Sequence, residues 1–118
     1  MKLQRLLVAL IVCVTCISCA DRKEAGILRD VDTYIQDRPD SALKVIESID
    51  TSRLVSNSVK AHYSLLYSMA LDKNWIDTTT TDIIMPAVNY YLRHGTSDEK
   101  LKSLYYLGRV QYNAKDYN

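Results

Sequence analysis

Apolar residues recur every three or four positions from Glu24 onward, and short polar segments interrupt the pattern. This period is typical of amphipathic α-helices that place their apolar side chains on one face. The chain has only three Gly and two Pro in 118 residues, which favours long helices over a turn-rich β-sandwich. The sequence therefore predicts one all-α domain built from antiparallel helix pairs.

The pattern predicts three helices in the first part of this domain. We expect the first over 24–36, ended by Arg38-Pro39, because Pro disfavours helical geometry in the residue before it. Asp40 is the expected N-cap of the second helix. The third covers about 54–73, and its two apolar stripes predict neighbouring helices on both sides.

The fourth helix has a start signal and a stop signal. Thr79 with Asp82 makes a capping-box pattern, and Pro86 is tolerated only near a first turn, so the helix should start close to Thr81 or Asp82. Gly95 is a C-cap signal at its end.

The fifth predicted helix carries the most specific motif. We expect it over 97–114, started by a capping box of Thr96 and Glu99. A large residue, a Leu-Gly pair and an aromatic residue follow at the spacing of the first helix of a tetratricopeptide repeat: Leu104, Leu107, Gly108 and Tyr112. The chain therefore resembles this repeat family, in which a small residue lets the paired helix approach closely.

Weaker copies of the motif occur upstream. Tyr63-x2-Leu66-Tyr67-x2-Ala70 repeats the pattern about 41 residues earlier, and the segment from Ala42 is fainter. The resemblance implies a tetratricopeptide-like solenoid over 24–118, about two and a half repeats with the last incomplete. HEAT-like helix pairs have similar periods and are the structural alternative. First helices line the concave face in such repeats, which implies groove-lining roles for His62, Tyr63, Tyr67 and Tyr105.

The first 18 residues have the order of a secretory signal. Lys2 and Arg5 precede an uncharged run of about 15 residues, Leu6 to Ala20, with small residues near its end. A membrane-spanning helix needs about 20 residues, so a transmembrane segment is the weaker interpretation. The sequence predicts a signal peptide over 1–18.

The end of this leader resembles a lipobox. In Cys16-Ile17-Ser18-Cys19 a small residue precedes the Cys that would become acylated and N-terminal. We predict lipidation at Cys19, with Cys16 as a second candidate, and a tether over 19–23. Together with the repeats, this resembles a tetratricopeptide-repeat lipoprotein of Gram-negative bacteria. The resemblance implies a cell-envelope location, on the inner or outer membrane, facing the periplasm or the surface.

Composition argues against several functional classes. Removing 1–18 leaves 13 basic and 14 acidic residues, which provides no basic stripe for nucleic acid and no polybasic patch for anionic lipid. The Cys13, Cys16 and Cys19 spacing lacks a fourth metal ligand. No phosphate-binding, dinucleotide, serine-hydrolase or zinc-protease motif occurs, so we expect no catalytic site, metal or cofactor.

The remaining hypothesis is an anchored scaffold that binds a protein or peptide partner. One alternative is a glycan- or nutrient-binding outer-membrane lipoprotein, for which Trp75 is the only Trp platform. Another is the extracytoplasmic sensor part of a longer signalling protein. The sequence identifies no partner or ligand.

Overall fold

The computed structural model describes residues 2–116, without the side chains of 11–20 and Asp116. Every regular element in this part of the chain is helical, which confirms the predicted all-α class. The elements are α1 (Lys2–Tyr34), α2 (Pro39–Ser48), a 3₁₀ helix (Thr51–Arg53), α3 (Asn57–Lys73), α4 (Met85–His94) and α5 (Ser97–Asp116).

Helix α3 is the centre of the packing. It contacts α1, α2, α4 and α5, whereas α2 and α4 do not contact each other. It has neighbouring helices on both sides, as the two apolar stripes in its sequence predicted. Its buried apolar residues include Ala61, Leu65, Leu66, Met69 and Ala70. Leu28 and Val31 of α1 and Ile46 of α2 complete one side of the core, and Ile84 and Val88 contribute to the other.

Helix α1 is longer than the periodicity predicted. It runs without a break from Lys2 through the predicted signal peptide and the described part of the predicted tether. Its residues 2–10 are exposed, whereas Glu24 is buried. The Asp21 carboxylate accepts hydrogen bonds from the Val55 and Ser56 amides, at 3.2 and 3.4 Å. Among the described helices, none combines the length and apolar character needed to cross a membrane.

The N-terminus of α2 differs from the expected one. Helix α2 starts at Pro39, its N-cap is Arg38, and no side chain caps it, so the prediction of Asp40 as N-cap was wrong. Proline has no N–H to satisfy and its fixed φ suits the first helical position, so it starts the helix without a cap. Asp50 instead caps the 3₁₀ helix by accepting from the Ser52 amide.

Helix α4 also begins later than expected, at Met85. The Thr79–Asp82 pattern does not cap it, and a side chain of α3 contributes to its first turn instead. The buried Ser64 hydroxyl donates to the Ile83 carbonyl and accepts from the Ala87 amide at 3.1 Å. A side chain distant in sequence thus takes the role that a local box was expected to fill.

The second predicted capping box is confirmed. The Thr96 amide donates to Glu99 Oε1 at 2.8 Å, and the Glu99 amide donates to Thr96 Oγ1 at 3.2 Å. Two N–H groups at the start of α5 are therefore satisfied reciprocally.

Replacing Thr96 by Ala should lower the free energy of unfolding by about 1 kcal/mol, because one N–H of the first turn loses its acceptor. Thr79→Ala is the matched control and should change it by less than about 0.5 kcal/mol, because Thr79 is exposed and caps no helix. Urea denaturation of both variants measures the difference. Equal losses would contradict the assignment of the two caps.

Candidate binding groove

Two tyrosines of α3 form the floor of an open groove. Tyr63 and Tyr67 lie four residues apart on one helix face, and their rings meet edge to face at 5.6 Å between centroids. The groove has a volume of about 440 Å³ and lies between the 3₁₀ helix and the start of α4. Its other lining residues are Thr51, Leu54, Lys60, Ser64, Asp82, Ile83 and Pro86.

Both phenols are neutral groups at physiological pH. Burial raises the pKa of Tyr63 and of Tyr67, and the nearby Glu47 carboxylate raises it further. Each ring therefore offers an apolar face together with a hydroxyl that donates a hydrogen bond. This combination suits contact with a peptide, which presents side chains and backbone polar groups together.

A second depression, of about 310 Å³, shares Lys60 and Pro86 with the first and so extends the groove along α4. Arg93 and His94 line it together with Lys60, and its neutral lining residues are Asn57, Asn89 and Tyr90. The Tyr90 ring lies 5.0 Å from that of His94. The groove therefore has an aromatic part and a basic part.

His62 lies in a different cleft. Its Nε2 is 2.9 Å from Asp32 Oδ2 on α1, and this cleft of about 290 Å³ also includes Tyr91, Glu99 and Lys102. The structure therefore separates His62 from Tyr63 and Tyr67, although the three are close in sequence. The pKa of Asp32 is lowered, and the largest cause is the hydrogen bond that His62 donates to its carboxylate.

Asp32→Asn should destabilise the fold by less than about 1 kcal/mol at pH 7, since half of the Asp32 side chain is exposed. A lowered folded-state pKa stabilises the fold above the unfolded value of 3.8, and this contribution disappears as the pH falls through the folded pKa. The deficit of the variant should therefore shrink progressively as the pH falls below 3.8. Denaturation over a series of pH values from 7 downward measures it, with exposed Asp30→Asn as control. A deficit that stays constant over the whole series would contradict this linkage.

The motif residues of α5 are placed on its outer side. Tyr105 is exposed and stacks edge to face on Tyr106, and Leu104 and Tyr112 are exposed too. A Cβ atom added to Gly108 would meet nothing within 4 Å in the described structure, and Leu107 packs partly against the core. Tyr105 therefore lies away from both the groove and the His62 cleft.

The predicted lipidation residue, Cys19, lies within α1, but its side chain is outside the described residues, as are those of Cys13 and Cys16. The basic part of the groove was missed by sequence reasoning. Lys60 and Arg93 belong to different helices, and only the packing of α3 on α4 brings them together.

Comparisons of the chain with protein-family models, with curated proteins and with solved structures each found no significant match. The groove itself is therefore the feature that bears on function.

Proposed function

We propose that this chain is a lipid-anchored helical-repeat scaffold of the cell envelope, and that its groove over α3 binds an extended segment of a partner protein. The observation that carries the proposal is the Tyr63–Tyr67 floor, open between the 3₁₀ helix and α4. Its volume is within the range of about 300–1,000 Å³ typical of ligand sites. The proposal includes no catalytic step and no cofactor.

The tetratricopeptide-like architecture is part of this proposal. Its support is the order of contacts, in which each helix packs on its sequence neighbours and α3 also packs on α1 and α5. Stacked repeats contact only their neighbours and create extended binding surfaces in this way.

Acylation at Cys19 is the proposed anchor. Its support is the leader sequence, and mass spectrometry of the protein from envelope fractions tests it. The expected product starts at Cys19 and carries acyl chains, which bind a bilayer by about 0.8 kcal/mol per buried methylene. A mature terminus elsewhere, or an unmodified Cys19, would overturn the anchoring.

The partner is tested by capture from envelope extracts with the intact mature protein. We expect a reproducible partner that is lost with Tyr67→Ser and retained with Tyr112→Ser, because Tyr112 is exposed on α5, outside the groove. Circular dichroism confirms that both variants are folded. Equal capture by the two variants would refute the groove as the binding site.

A second candidate is glycan binding at Trp75. This side chain is 90% exposed, and its backbone is in the left-handed region, with φ of 60°. The Trp75 and Ile76 amides donate to the Asp72 and Leu71 carbonyls, so the backbone of the turn that ends α3 is fixed by hydrogen bonds and the indole extends into solvent. Exposed indoles provide stacking surfaces for sugars.

Calorimetry against a glycan panel tests this alternative. Trp75→Gly should abolish the glycan heat without unfolding the chain, because Gly is the residue best suited to a left-handed position. Absence of binding to any glycan would eliminate the candidate.

A further inference from the structure

We infer that the groove selects a partner segment in which apolar side chains are followed by carboxylates, so that Tyr63 and Tyr67 hold the apolar part and Lys60, Arg93 and His94 hold the acidic part. This inference rests on the proposed peptide-binding function and names the chemistry of the partner. The occupant is an acidic, apolar peptide segment.

The aromatic part and the basic part of the groove are continuous. Lys60 and Pro86 line both depressions, so a chain that leaves the tyrosine floor along α4 passes Lys60. Together the depressions have room for several side chains, at about 440 and 310 Å³. An extended segment advances about 3.3 Å per residue and alternates its side chains, which suits a long shallow groove.

Basic side chains are concentrated in the depression along α4. The mature chain has nearly equal numbers of acids and bases, yet the depression along α4 is lined by Lys60, Arg93 and His94 and by no carboxylate. Its uncharged polar residues, Asn57 and Asn89, supply side-chain amides that donate hydrogen bonds. Cationic side chains and amide donors together favour the binding of a carboxylate.

The carboxylates near the groove lie outside the depression along α4. Asp82 lines the tyrosine part, and Glu47 acts electrostatically on both tyrosines. The pKa of Asp21 is lowered mainly by a hydrogen bond with Ser56 and least by the charge of Lys60, because Asp21 is bonded to the segment that precedes α3. The charged groups that line the tyrosine end are thus of both signs, Asp82 and Lys60, whereas those that line the depression along α4 are all basic, which sets the direction of the bound segment.

A random peptide library selected on the intact protein, purified in nonionic detergent, tests the inference. We expect selected sequences to place Asp or Glu on one side of an apolar pair. The best peptide is then synthesised with its acids kept, replaced by amides, or replaced by Lys. Calorimetry should show affinity falling about tenfold with amides and further with Lys, because two exposed charge contacts are lost and then opposed.

Variants of the protein complete the test. Lys60→Gln with Arg93→Gln should weaken the acidic peptide about tenfold and leave the amide peptide unchanged. Lys100→Gln with Lys115→Gln, two exposed positions on α5, is the matched control and should have no effect. Added salt should weaken the acidic peptide on wild type and not on the Lys60/Arg93 variant.

The possible failures are distinct. Peptides that require Tyr67 but bind equally with acids, amides or Lys would overturn this inference and leave the proposed function standing. A library that yields no peptide would overturn both. Binding of phosphatidylglycerol vesicles, lost in Lys60→Gln with Arg93→Gln and unaccompanied by acid preference in peptides, would assign the basic residues to lipid and overturn the inference.

Discussion

Leu66→Ala is expected to lower the free energy of unfolding by about 3–5 kcal/mol, the largest effect of any single substitution we propose. Leu66 is 1% exposed in the middle of α3, the helix that packs on four others. Truncation removes buried methylene contacts and leaves a cavity that neighbouring helices fill only in part. Small domains have total stabilities of about 5–15 kcal/mol, so the variant should melt well below wild type.

Leu104→Ala is the matched control for Leu66. Leu104 is 46% exposed on α5, so its truncation should cost less than about 1 kcal/mol. Thermal and urea denaturation of both variants compares them. Similar losses at the two positions would contradict the central placement of α3.

Ser64→Ala is expected to cost about 1–2 kcal/mol, although it removes a single oxygen atom. The Ser64 hydroxyl is buried and bonds to both the Ile83 carbonyl and the Ala87 amide. The Ala87 amide also donates to the Ile84 carbonyl at 3.0 Å, so it keeps one acceptor, while the Ile83 carbonyl loses this donor. The expected loss is that of two hydrogen bonds made by a buried hydroxyl, one of them to the carbonyl of the half-buried Ile83.

The local consequence of Ser64→Ala is faster hydrogen exchange in the first turn of α4, from Met85 to Val88. Ser58→Ala is the matched control on the same helix, because the Ser58 hydroxyl is exposed and lies 3.3 Å from that of Ser56. It should change stability by less than about 0.5 kcal/mol. Unchanged exchange at Ala87 in the Ser64 variant would refute the cap supplied by α3.

The two capping boxes illustrate what local sequence determines. Thr96 and Glu99 form both expected hydrogen bonds, because each partner lies within one turn of the other. Thr79 and Asp82 have similar spacing but do not cap α4. There Ser64, from another helix, accepts from one amide of the first turn, and such a tertiary contact leaves no local signal in the sequence.

The groove, too, could be predicted only in part from the sequence. Helical periodicity indicated that Tyr63 and Tyr67 share a face, and the structure places both on one floor. The same periodicity does not specify which helix lies opposite, so His62 and Tyr105, grouped with them by the repeat resemblance, lie on other surfaces. The basic part depends on pairing α3 with α4 and could not be found from spacing alone.

Photo-crosslinking in living cells tests the central claim most directly, namely that the groove over α3 contacts a partner protein. A photoreactive phenylalanine replaces Tyr67 in one variant and the exposed Tyr105 in the other. The account predicts a discrete crosslinked product at Tyr67 and none at Tyr105. A product at Tyr105 without one at Tyr67 would contradict it.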